Sequence, residues 1–205
     1  MTDPGYAMKA RKSILATLLF LVVLVSVYWC HVRFFKVDVL LYSAVTDAAI
    51  ATIAAASILF SSHAFAPLGH HEKAQLCVIW LLTGYAFAIS VPTVIDRSLS
   101  FYLLEKLQQR GGGIQRAAFE EIFAKEYVKE HHLADIRLTE QERSGTIKVV
   151  DGCVKLTERG ARVATFSRFF RKYFLPRQRL VAGQYTDALV DPFRYSEVAP
   201  NYSCR

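Results

Sequence analysis

The sequence predicts a mainly α protein, three transmembrane helices followed by a small soluble α+β domain. Three observations lead there. Charge is unevenly placed: of the Asp, Glu, Lys and Arg residues, seven precede Val39, three (Asp47, Glu72, Lys73) fall between Val39 and Ile95, and 33 follow from Asp96 onward. Three runs nearly free of charge each reach about twenty residues, the length needed to span a bilayer. Beyond residue 98, apolar residues recur at helical spacing and then switch to a strand, Asp-Gly, strand pattern. The chain has 205 residues, 53% hydrophobic, with a formal net charge of +7. That distribution excludes a one-domain soluble enzyme and a disordered chain. It divides the chain into an N-terminal tail (1–12), a transmembrane region (13–97), a soluble domain (98–179) and an extended tail (180–205).

The first span, Ser13–Val32, follows Lys9, Arg11 and Lys12, as a secretion signal would. Its end, Tyr28-Trp29-Cys30-His31, has no small-residue cleavage site, so the segment is expected to stay as an anchor. Tyr28 and Trp29 suit the membrane interface. The second span, Ala48–Gly69, extends back to Val39 if Asp47 is tolerated. Its small residues, with Ala51 and Ala55 four apart, allow a close helix contact, either within the bundle or as a docking face for another membrane protein. The third, Ala74–Ile95, carries Gly84 and Pro92, which are expected to bend it.

Asp47 is the one acid inside a predicted span. It lies about nine residues in, roughly 13 Å deep. Acids at such depth face protein or water and have partners; Arg97 and Arg33 are the predicted ones, in a structural ion pair or along a substrate path. Asp96-Arg97-Ser98 marks the membrane exit. Asp96 is expected to cap the next helix and Arg97 to meet lipid phosphate or Asp47; this cluster is a candidate for coupling to a partner.

The soluble half reads as helices over Ser98–Gln109, Ala117–Glu130, His132–Arg143 and Gly160–Tyr173, with Gly111-Gly112-Gly113 as a hinge. Between the last two, Thr146–Val150 and Cys153–Thr157 flank Asp151-Gly152, a tight hairpin signal. The order, with Arg137-Leu138, Gly145-Thr146-Ile147, Asp151-Gly152 and Leu156-Thr157-x-x-Gly160, resembles the winged-helix superfamily over about residues 98–175. That resemblance implies a fold and little about activity. The candidate recognition helix carries three acids and two arginines, a poor surface for phosphates and bases, so nucleic acid is not the expected partner.

Positive charge gathers instead between Arg159 and Arg179, seven basic residues with no acid, interleaved with aromatics. Arg162, Phe166, Arg168, Phe170, Arg171 and Lys172 describe a helix with an aromatic face and a basic face. Such a helix lies on an anionic lipid surface, or covers its own core while meeting a partner, with nucleic acid as the least expected contact.

No catalytic arrangement is legible. Gly-x-Ser-x-Gly, His-Glu-x-x-His and phosphate-loop patterns are missing, and none of the four cysteines has Cys-x-x-Cys spacing. His70-His71-Glu72 reads as a solvated interface loop, and His131-His132 as flanking a helix. A non-enzyme without metal or cofactor is the expectation.

From Pro92 through Ser98-Leu99, Leu103-Leu104 and Phe119 to the Arg137–Gly160 cadence, roughly residues 75–175, the chain resembles a loose family of small bacterial multi-span membrane proteins with a cytoplasmic winged-helix-like domain. These accompany glycosyltransferases of exopolysaccharide or lipid-linked glycan assembly. The resemblance implies a non-catalytic accessory subunit in the cytoplasmic membrane, with a membrane-protein partner such as a glycosyltransferase. The alternative is a membrane-tethered DNA-binding regulator. The basic soluble half is expected on the cytoplasmic side, although Lys9, Arg11 and Lys12 then lie outside, against the positive-inside tendency.

Overall fold

The protein is seen in a computed structural model that describes residues 4–194. Residues 1–3 and 195–205, the ends of the two expected tails, lie outside the described residues. The chain forms two compact units, Met1–Ala118 and Phe119–Arg205. The division falls later than the 97/98 boundary read from the sequence.

The first unit holds three helices long and apolar enough to cross a membrane: α1 (Pro4–Phe34), α2 (Leu40–Ser61) and α3 (His70–Arg97). With 31 residues, α1 is about 46 Å long, well beyond an apolar bilayer core of about 30 Å. Lys9, Arg11 and Lys12 therefore ride on a helical extension rather than a loose tail. The second helix starts at Leu40 and stops before Gly69, at Ser62, whose hydroxyl accepts from the Ala64 N–H and opens a 3₁₀ turn, His63–Phe65. Phe65 and Leu68 tuck into the bundle's buried core.

His70-His71-Glu72 forms the first turn of α3, not a loop. One Glu72 oxygen accepts from the Gly69 N–H at 2.7 Å, and the other meets Lys9 Nζ at 2.9 Å. The N-termini of α1 and α3 are thereby tied on one side.

Ala44, Asp47, Ala48, Ala51, Thr52, Ala55 and Leu59 make a continuous buried stripe along α2 at helical period. Within the apolar windows of the helices, 39% of residues are buried in α2, against 17% in α1 and 22% in α3, so α2 is the central helix. Around it, Phe20 stacks on Trp80 at 5.3 Å between ring centroids, and the Trp80 Nε1–H donates to Thr17 Oγ1 at 3.2 Å. Gly84 lies where α3 meets Ala48, so close that a Cβ added there stands 2.7 Å from the Ala48 methyl.

The expected disturbance at Pro92 is a π-helical turn, Ile89–Thr93. Proline has no N–H to offer the carbonyl four residues back. The Thr93 hydroxyl donates to that carbonyl, of Ala88, at 2.7 Å, and the helix continues to Arg97. Ser98 then caps α4 (Leu99–Gln109) by accepting from the Phe101 N–H. The cap is Ser98, not the expected Asp96.

The second unit runs α5 (residues 119–130, with a π-helical middle, Ile122–Tyr127), α6 (Leu133–Arg143), β1 (Ile147–Val150), β2 (Cys153–Leu156), α7 (Glu158–Phe174), β3 (Arg179–Val181) and β4 (Gln184–Thr186). β1 and β2 pair antiparallel through Asp151 (φ +52°) and Gly152 (φ +73°), both left-handed as a two-residue turn of this hand requires. A second hairpin joins β3 to β4 through Ala182 and Gly183, both at positive φ, where an extended tail was expected.

The start of α7 is fastened to the first hairpin. Thr157 Oγ1 donates to the Gly145 and Thr146 carbonyls at 2.8 and 3.0 Å, and accepts from the Gly160 N–H at 3.1 Å. Gly160 is needed because a Cβ there collides with the Thr146 carbonyl.

Candidate functional site

Each spanning helix leaves a wide apolar face uncovered; on α1 it includes Ile14, Leu18, Val22 and Val25. Helices with such faces meet lipid or another membrane protein. The small-residue stripe is not that surface. Ala51 and Ala55 are both fully buried inside the bundle, so their close contacts are made to α1 and α3, and a docking face at these two positions is withdrawn.

Asp47 is 2% exposed, and its partner is neither Arg97 nor Arg33. Its Oδ1 lies 2.6 Å from His31 Nδ1, near the end of α1, while Oδ2 is buried with no hydrogen-bond partner among the described residues. His31, Asp47, Cys30, Ser26 and Ile50 border an otherwise apolar cleft of about 450 Å³. His31 escaped the sequence reading because a histidine adds no formal charge to a span. The antiparallel turn at residues 35–39 was the available signal, since it brings the end of α1 level with the first turns of α2.

A buried acceptor deprived of its donor costs about 1–3 kcal/mol. His31→Ala is therefore expected to destabilise the bundle by about that much in detergent melts. His31→Leu with Asp47→Leu should recover most of the loss, because the unpaired carboxylate goes with its partner. Equal melts for wild type and His31→Ala would show that the pair carries no stability.

At the membrane exit, Asp96 is exposed and Arg97 Nε lies 4.0 Å from its Oδ2, while Ser98 is occupied as a helix cap. The three stand together at the end of α3 and the start of α4.

The basic aromatic helix is the strongest surface feature. At about 100° per residue, Val163, Phe166, Phe169, Phe170, Tyr173 and Phe174 of α7 occupy one arc. Their rings touch along it: Phe166 to Phe170 at 6.0 Å, Phe170 to Phe174 at 5.2 Å and Phe169 to Tyr173 at 5.0 Å. Yet Phe166 is 64% exposed, Phe170 42% and Phe174 64%. The arc does not cover the unit's own core, contrary to one of the uses expected from the sequence. Arg162 belongs to the aromatic arc, while Arg168, Arg171 and Lys172 lie on the opposite side. That division is sharper than the alternation read from the sequence.

Among the described residues no group of three His, Cys, Asp or Glu side chains stands together as a metal site. No protein-family model matches this chain. Comparison with curated proteins and with solved structures gives no match either.

Proposed function

We propose that this membrane protein is a non-catalytic accessory subunit of a membrane-bound glycan-assembling enzyme. In this reading it lies in the cytoplasmic membrane with its C-terminal half on the cytoplasmic side. The observation that carries a docking role is the exposed aromatic arc of α7. Six apolar side chains along one arc are expensive to leave in water, and each stays at least 42% exposed within its own unit. With Arg162 beside them, they suit the headgroup level of an anionic bilayer, where rings enter the apolar boundary and cations meet phosphates. The uncovered faces of α1 to α3 supply the area for a membrane-protein partner. The glycan system itself comes from the sequence resemblance.

The runner-up is a membrane-tethered winged-helix regulator. It draws on the order α5, α6, hairpin, α7. Against it, Arg137 of the candidate recognition helix is engaged with Glu140 at 2.8 Å, and that helix has no surplus of positive charge to offer phosphates.

Purification of the tagged full chain from its native host in mild detergent separates the two. The expected result is a stoichiometric membrane protein that transfers glycosyl groups in the purified complex. Recovery of the chain alone, with chromosomal fragments enriched after crosslinking, would replace the accessory reading with the regulator.

A further inference from the structure

The basic side of α7 is not a bare solvated face. Arg168, Arg171 and Lys172 line a pocket of about 410 Å³, closed on its far side by residues 190–194. Arg168 and Arg171 have no ion-pair or hydrogen-bond partner among the described residues. Arg194 of the same pocket is held by Asp187 at 3.3 Å, and Asp191 is the one acid in the lining among the described residues. The C-terminal end of α7 adds about half a negative charge. Three cations facing one carboxylate and that dipole leave the pocket positive by more than one charge. Two guanidinium forks three residues apart match the several oxygens of a phosphate group, and Lys172, whose ammonium lies 5.3 Å from the centroid of the Tyr173 ring, adds its charge to the lining.

The pocket has room for several times the volume of an inorganic phosphate, and it falls within the range of small-molecule sites. Phe193, with Phe169 from the margin of the aromatic arc nearest Lys172, gives the remainder of a ligand two aromatic walls. Its cations lie on the side of α7 opposite the Phe166–Phe170 arc, so a helix resting on lipid by its aromatics presents them to water. We infer that this pocket binds a soluble organic diphosphate, with the phosphates on Arg168, Arg171 and Lys172 and the organic part against Phe169 and Phe193. The inference stands on the pocket alone and does not require the accessory role.

The test uses the full chain in neutral-detergent micelles, which hold no anionic lipid. Equilibrium dialysis measures binding of labelled uridine diphosphate and labelled pyrophosphate, with KCl at matched ionic strength as the control. Saturable binding is expected, tighter for uridine diphosphate than for pyrophosphate. Arg168→Gln with Arg171→Gln should weaken it at least tenfold, while Lys148→Gln with Lys155→Gln on the first hairpin should leave it unchanged. Equal binding of the two probes would overturn the role given to the aromatic walls. Competition by KCl as effective as by pyrophosphate, or equal losses in both double variants, would reduce the pocket to diffuse electrostatics and overturn the site. Binding of neither probe, with phosphatidic acid in nanodiscs protecting Arg168–Lys172 from hydrogen exchange, would overturn a soluble ligand in favour of a lipid headgroup. No response to any of the three would refute phosphate recognition altogether.

Discussion

Gly84→Ala is expected to destabilise the helical bundle by about 1–3 kcal/mol, the range for adding a methyl group to a closely packed contact. The added Cβ lands 2.7 Å from the Ala48 Cβ and 3.5 Å from its Cα. Real carbons do not approach that closely, so α2 and α3 must separate. Separation is felt widely, because α2 is the central helix and its stripe from Ala44 to Leu59 is buried along its length. The Phe20–Trp80 stack lies beside the same crossing, with Phe20 Cζ 3.8 Å from the added carbon. Ala48→Gly in the same chain removes the opposing methyl and should restore a large part of the loss. Thermal melts of the three variants in one detergent would measure this. A Gly84→Ala protein as stable as wild type, or a double variant worse than the single, would show that the crossing is not as tight as described.

The second large effect is expected at the aromatic arc. Phe166→Glu with Phe170→Glu should release α7 from anionic nanodiscs, read on the full chain as loss of hydrogen-exchange protection over residues 158–174. A phenylalanine taken fully out of water gains about 1.5–3 kcal/mol. Losing two that are each half-buried moves the docking equilibrium by about 1.5–3 kcal/mol, or roughly 10- to 100-fold. Like charge between the new carboxylates and anionic lipid adds to the shift. Because Arg168, Arg171 and Lys172 are untouched, uridine diphosphate binding in micelles should survive this change. Wild-type α7 that exchanges equally fast in neutral and anionic nanodiscs would refute lipid docking, and would leave a protein partner as the cover for the arc.

Much of this architecture is legible before any coordinates. Charge depletion between Val39 and Ile95 marks the membrane region because an unpaired charge in hydrocarbon is costly. Asp151-Gly152 marks the first hairpin because its turn needs two left-handed residues in succession. The second hairpin uses Ala182-Gly183, and alanine carries no such signature, so three-residue strands on either side passed as extended chain. The extents of the helices are not legible in composition. Composition locates an apolar run, but Ser62 and Glu72 set the ends of α2 and α3 through hydrogen bonds that only folding forms.

Three helices long and apolar enough to cross a membrane, a charged half with an Asp-Gly hairpin, and one helix rich in both aromatic and basic residues are all legible in the amino-acid sequence. These are properties of single segments, governed by solvation and by local backbone geometry. Which surfaces face each other emerges with the packing of these segments. That packing turned the Ala51–Ala55 stripe inward, set His31 against Asp47 across sixteen positions, and placed residues 190–194 over the basic side of α7. Side-chain type records what a residue tolerates. Which neighbour it receives is set by how separate helices and turns pack, and that information is spread over the whole chain.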